Sequence, residues 1–284
     1  MVTIRFARLE FTPKLSHFSS DQAALERRRD TLHDVIRYEF DVNTYLRGSE
    51  EEYLIDRGDW NFAGVDVGED YISGKIGKEK DDERNVRDDD KKDYVEKEGQ
   101  DADIAFFVID LKNCVMAYEY RRNIGKKVPY RLIQGIYNNY HGGKEELRAS
   151  PLVDRKEFRQ AISEIEEIER VSFTNLSPTN PDFTEYSAAM DNFLREGGID
   201  LININAAGDD IDLYGNDEIA GAVGLSEEGH GTATIVGTDG RGNEREVSTE
   251  DKAAKTETEE SESDVRYREK LVNDIEEQLE QLED

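Results

Sequence analysis

The sequence is poor in cysteine, tryptophan and proline, with one Cys, one Trp and five Pro among 284 residues. A single cysteine, Cys114, excludes an internal disulfide framework and fits a reducing compartment. No apolar run approaches the roughly 18 residues of a membrane-spanning helix, so no membrane partner is expected. The opening residues Met1-Val2-Thr3-Ile4-Arg5-Phe6 alternate and carry an arginine, the pattern of a strand rather than of a secretory signal. Together these absences point to the cytoplasm. Basic residues are also scarce: 37 Lys and Arg stand against 66 Asp and Glu, a net charge of −29.

That charge is spread along the chain. Residues 79–103 hold twelve acidic and six basic residues, and residues 249–284 hold fourteen and five. The rest carries −14 and contains clear apolar runs. An acid-coated folded domain fits this distribution, and a halophilic cytoplasm is the expected setting. In about 1 M salt the Debye length falls to about 3 Å, so self-repulsion is screened. Such a surface repels nucleic acid at low salt, and binding at high salt would lean on stacking and hydrogen bonds.

The pattern of elements predicts an α+β fold: two mixed or antiparallel sheets with packed helices, an acidic disordered insertion and a C-terminal helix. Residues 1–78 read as an N-terminal α+β region, with a strand at 2–11, a helix near 21–38 capped by Ser20, and two or three strands within 52–77. Residues 79–103 read as an acidic mobile insertion. Residues 104–248 read as a second α+β domain. It opens with a hairpin, Ile104–Ile109 and Cys114–Tyr118 about the turn Asp110–Asn113.

Helices are expected after Pro129 and Pro151 and from Phe183 to Glu196, with strands at 171–174 and 199–204. Ser177 to Asp182 reads as a rigid turn. Asn216 is a helix cap, and 232–236 with 244–247 form a hairpin about Gly/Asp turn chemistry. Residues 249–263 read as a disordered acidic linker. Residues 264–284 form an amphipathic helix whose stripe includes Leu271, Val272, Ile275, Leu279 and Leu282.

The strongest local signal lies between Tyr118 and Arg131, where five basic residues accompany one acid, Glu119. Five of the thirteen tyrosines fall between 118 and 140. Cations pair with phosphate and aromatic faces stack on unpaired bases. This makes Tyr120, Arg121, Arg122, Lys126, Lys127, Tyr130 and Arg131 candidate contacts for single-stranded RNA or DNA. The plain alternative is a strand-to-helix loop whose arginines pair with acids and whose tyrosines join the core. A second candidate surface is the terminal helix, through which Leu271, Ile275, Leu279 and Leu282 could dock a protein partner or a second copy.

The remaining clusters carry less. Arg27-Arg28-Arg29 cannot all face one ligand from a helix. Asp209, Asp210 and Asp212 lack the spacing of a calcium loop, so no metal is assigned. His17, His33, His141 and His230 have no ligand spacing, Cys114 reads as a buried hydrophobe on a strand, and no phosphate loop is present. No catalytic residue and no cofactor are assigned.

Several short pieces resemble an uncharacterised prokaryotic family found near mobile elements and phage-defence genes and compared with the phage-exclusion protein RexA. They are the Phe106-Phe107-Val108-Ile109-Asp110 strand, the next strand with Glu119, Pro129 before a helix, and Pro178-Thr179-Asn180-Pro181-Asp182, where Thr179 interrupts a Pro-Asn-Pro turn. Asp217-Glu218-Ile219, Gly231-Thr232-Ala233-Thr234 and Ser248-Thr249-Glu250 complete the likeness. The resemblance implies a role in host–virus conflict and contact with nucleic acid, and it brings no catalytic residues. The leading expectation is an intracellular non-enzymatic protein that contacts single-stranded nucleic acid. The alternative is an antitoxin-like or adaptor protein that uses its acidic surface and terminal helix.

Overall fold

A computed structural model describes residues 1–11, 22–47, 49, 51, 55, 58–80, 85–88, 90–96, 101–142, 146–178, 188–261 and 263–283. These form two compact units, Met1–Ala149 with Thr256–Glu277 and Ser150–Lys255 with Gln278–Asp284. The fold is α+β with antiparallel sheets and a C-terminal helix.

The first unit is built on a seven-stranded sheet. Its strands are β1 (Val2–Phe11), β2 (Asp59–Val67), β3 (Tyr71–Lys80), β6 (Asp101–Asp110), β7 (Val115–Glu119), β8 (Leu147–Pro151) and β13 (Lys255–Thr258). The order is β13-β1-β7-β6-β3-β2, with β8 also on β1. A separate hairpin, β4 (Asn85–Asp88) and β5 (Asp93–Glu96), lies between β3 and β6 in sequence.

The central strand β6 is apolar on both faces. Ala105, Phe107 and Ile109 join a core with Leu32 and Val35 of α1 (Gln22–Val35), Leu46 of α2 (Val42–Leu46) and Ile133, Ile136 and Tyr137 of α3 (Val128–His141). Phe106 and Val108, on the other face, are also buried. There α7 (Asp264–Glu283) lays the Tyr267 ring 5.2 Å from that of Phe106. A strand covered on two sides has to read as a continuous apolar run, and β6 does.

The second unit contains α4 (Arg155–Ser163), β9 (Glu167–Leu176), α5 (Ala188–Glu196), β10 (Ile202–Ala207), α6 (Asp217–Glu227), β11 (Thr232–Thr238) and β12 (Glu244–Ser248). Its four-stranded antiparallel sheet has the order β10-β9-β11-β12. Here the strands alternate. Val171, Phe173, Ala233, Ile235 and Val247 enter a core with Phe158 of α4, Leu194 of α5 and Val223 of α6. Ser172, Thr174, Thr232 and Thr234 lie on the other face and are not buried. Asp154 and Asn216 cap α4 and α6, accepting from Glu157 N and Ile219 N at 2.9 Å each.

Several expectations change. The units do not divide at the charge run: Lys80 pairs with Asp101 and Glu79 with Ala102, so β3 and β6 close over residues 79–103 from both ends. Of that segment, 81–84, 89 and 97–100 lie outside the described residues, and the rest is strand or turn. The stretch 249–263 contains β13, which is hydrogen-bonded to β1, so its charge did not preclude a strand. Cys114 sits in the turn before β7 with a left-handed φ of 53°, not on the strand. The turn is set by Asp110, whose Oδ1 accepts from Lys112 N and Asn113 N at 2.8 and 3.0 Å. The helix expected after Pro151 is present as α4, with Phe158 and Ile162 buried; Pro151 itself ends β8 and the N-cap is Asp154. The expectations at Ser20, Tyr53, Leu54 and 179–187 lie outside the described residues.

Candidate nucleic-acid interface

The basic segment runs from the end of β7 to the start of α3. Its loop is closed by its own backbone, with Ile124 N and Gly125 N both donating to Arg121 O at 3.0 and 2.9 Å. Ile124 is buried and anchors the turn, and Gly125 at φ +100° adopts a conformation that a side chain would strain. The buried Tyr118 donates its hydroxyl to Lys126 O at 2.7 Å, fixing the far side. These constraints push Arg122, Asn123 and Lys126 outward, and all three are exposed.

The seven candidates separate into two groups. Arg122 and Lys126 are exposed, and neither side chain has a hydrogen bond or ion pair among the described residues. Lys127 and Arg131 are half-buried on the same segment and make contacts of their own. Tyr120 is half-buried, with the Arg5 guanidinium 5.6 Å from its ring centroid. The other two are structural. Tyr130 is only 2% exposed and packs beside Tyr118 at 6.0 Å. Arg121 is held by Glu119 at 2.9 Å and by Glu260 at 2.6 Å.

No acid occurs from Arg121 to Arg131. The segment ends at the N-terminus of α3, where Lys127 occupies the cap position without a side-chain cap. A helix N-terminus carries a partial positive charge that favours anions nearby, although Pro129 supplies no N–H and Val128 and Tyr130 are buried. The segment thus presents exposed cations beside a helix start without a side-chain cap, in a chain that is otherwise strongly acidic.

The hub of the region is Glu119, whose role composition and spacing did not reveal. Glu119 is buried, and Oε2 accepts from Phe106 N at 3.1 Å and from Arg121, while Oε1 accepts from the Tyr267 hydroxyl at 2.7 Å. Burial, and then the adjacent Glu119 carboxylate, push the Tyr267 hydroxyl well above its ordinary value. Further along α7, Lys75 bonds Asp264 at 3.1 Å and Asp93 at 3.0 Å. Burial disfavours its ammonium, but these two bonds prevail and leave its pKa raised. Arg268 pairs with Asp66 and lies 4.1 Å from the Tyr71 ring centroid. The signal available in the sequence was a lone acid ending an apolar strand, Val115-Met116-Ala117-Tyr118-Glu119.

The terminal-helix candidates face inward. Leu271 and Ile275 are fully buried, and Leu279 and Leu282 are half-buried. Leu271 and Ile275 therefore pack within this chain, while Leu279 and Leu282 remain partly accessible. Among the other clusters, Arg28 is buried and donates to Leu111 O at 3.1 Å while Arg29 pairs with Asp30, as their different helical directions require. Burial pushes the Cys114 thiol up. In the second unit, Glu227 is fully buried and accepts both Arg159 Nε and an Arg159 terminal nitrogen at 2.8 and 2.6 Å, a bidentate structural pair. Among the described residues no three ligating side chains gather as a metal site, and no helix is long and apolar enough to cross a membrane.

No curated protein matches this chain at a significant level. A family does: residues 2–276 match it, across both units and including the basic segment and Glu119, so the chain belongs to the family described as Domain of unknown function (DUF4747).

Proposed function

We propose that this is an intracellular, non-enzymatic protein that contacts single-stranded nucleic acid through the β7–α3 segment, in a setting of host–virus conflict. The observation that carries the reading is the exposed pair Arg122 and Lys126, without ion pairs among the described residues, beside the uncapped α3 N-terminus. In a chain of net charge −29, unpaired cations on one loop are a local reversal of sign. Phosphate would meet Arg122 and Lys126, and the Tyr120 ring would stack with a base. Arg121 and Tyr130 act one layer down, holding the loop in place.

The test is fluorescence anisotropy with labelled single-stranded RNA and DNA, titrated in KCl from about 0.1 to 2 M so that the acidic shell is progressively screened. Arg122→Glu/Lys126→Glu changes only exposed side chains and should weaken binding at least about tenfold while circular dichroism is unchanged. Failure of folded wild type to bind either nucleic acid at any salt overturns the reading.

A further inference from the structure

The sheet edges of this chain are treated unequally. At β2, an edge of the seven-stranded sheet, Trp60 N donates to Asn43 Oδ1 at 2.9 Å and Trp60 O accepts from Asn43 Nδ2 at 3.2 Å. Gly64 N on the same edge donates to Lys92 O at 3.0 Å. At β12, an edge of the four-stranded sheet, Glu244, Arg245 and Glu246 are all exposed and charged. Occupied backbone groups and charged side chains are the two common ways of stopping an edge from recruiting another strand.

The opposite edge of that sheet, β10, has neither protection among the described residues; its only irregularity is a register shift on β9 between Ile202 and Ile204. Leu201-Ile202-Asn203-Ile204-Asn205-Ala206-Ala207 carries no charge in a chain with 36% charged residues. Its backbone pairs only with β9 among the described residues. Ile202, Ile204 and Ala206 are half-buried, where central-strand neighbours such as Phe173 and Ile235 are fully buried. Asn203 and Asn205 are exposed on the other face.

We propose that β10 pairs with β10 of a second copy, antiparallel and centred on Ile204, joining two four-stranded sheets into one of eight. The strand is self-complementary in that register. Ile204 meets Ile204, Ile202 meets Ala206 and Asn203 meets Asn205, so apolar and amide groups each meet their own kind on their own face. A register moved by one residue would set the apolar face of one copy beside the amide face of the other. Two chains at −29 repel, and this uncharged segment is where they can approach without opposing like charges across the strands. Asp200 and Asp209 flank it, so screening should strengthen the pairing.

The full chain is tested by sedimentation equilibrium at about 0.1 and about 2 M KCl. A dimer that tightens with salt is expected. Asn203→Glu/Asn205→Glu places carboxylates across from each other and should weaken the dimer at least about tenfold at low salt, less at high salt. Ile204→Cys should give a disulfide-linked dimer on mild oxidation, since facing Cα atoms would stand about 5 Å apart. Thr174→Cys, exposed on β9, should not. Hydrogen exchange on unmodified protein provides a check free of variants: the amides of Asn203 and Asn205, which alternate with those bonded to β9, should slow as concentration rises. A monomer under all these conditions overturns the proposal. So does a dimer that ignores the double substitution and leaves the β10 amides unchanged. Co-purification of an extended peptide protecting those amides in a monomeric chain overturns it too, by naming a different occupant.

Discussion

The two sheets of this chain solve the same problem differently. The central strand β6 of the seven-stranded sheet is apolar on both faces, with Phe107 and Ile109 in the core that contains α1 and α3 and Phe106 beside Tyr267 of α7. The four-stranded sheet is apolar on one face only and leaves Ser172, Thr174, Thr232 and Thr234 on the other. In the first, one acid on the second face has to be fully satisfied, as Glu119 is by Phe106 N, Arg121 and Tyr267. In the second, hydroxyl groups pair laterally, as Thr174 and Thr232 do at 2.6 Å, and need no cover. A covered face makes each polar group costly, and an open one makes it cheap.

The largest expected effects come from the two cores. Phe107→Ala and Phe173→Ala should each cost about 3–5 kcal/mol in chemical denaturation. Hydrogen exchange should show the first loosening β6 and β7 and the second loosening β9 and β11; identical patterns would dissolve the distinction between units. Next come the buried carboxylates. Glu119→Ala and Glu227→Ala should each cost about 2–3 kcal/mol, below a fully enclosed pair because Arg121 and Arg159 are partly exposed.

Swapping hydroxyl for methyl sharpens the contrast between faces. Ala117→Ser puts a hydroxyl on the covered face and should cost about 1–3 kcal/mol. Ser172→Ala on the open face should stay within about 0.5 kcal/mol. Equal costs would mean that the four-stranded sheet is covered as well.

The smallest effect belongs to the β11–β12 turn. The backbone and side-chain N–H groups of Asn243, then Arg241 N, hold the Asp239 carboxyl at about 2. A lowered folded value gives stability that is present above the unfolded value of about 4 and fades as pH falls toward 2. Asp239→Asn should lower the denaturation midpoint of the second unit slightly at neutral pH, and the difference from wild type should vanish as pH falls toward 2.

Much of the architecture was legible because periodicity reports burial directly. The β6–β7 and β11–β12 hairpins, the Asn216 cap and the α3 and α7 helices follow from apolar spacing and turn chemistry. The division into units was not legible, because a charge run resembles a linker whether it joins domains or caps two long strands. β13 escaped for a related reason: Lys255-Thr256-Glu257-Thr258 has no apolar residue, and its place depends on β1, some 250 residues earlier. Within the candidate interface the sequence located the loop but could not sort its residues. That sorting depends on Glu119 and Glu260 reaching Arg121 and on Tyr118 filling space beside Tyr130.

The placement of residues 256–277 in the first unit has a consequence for synthesis. Met1–Ala149 supplies most of that unit, but Tyr267, Leu271 and Ile275 are made more than a hundred residues later. At ribosomal speed the wait is on the order of ten seconds. Throughout it Phe106 lacks Tyr267 of α7 beside it, while residues 150–255 emerge with every strand of the four-stranded sheet. The four-stranded sheet, whose last strand ends at Ser248, is therefore complete before the seven-stranded sheet receives β13, and the window in which a chaperone is most needed is set by where α7 lies in the message.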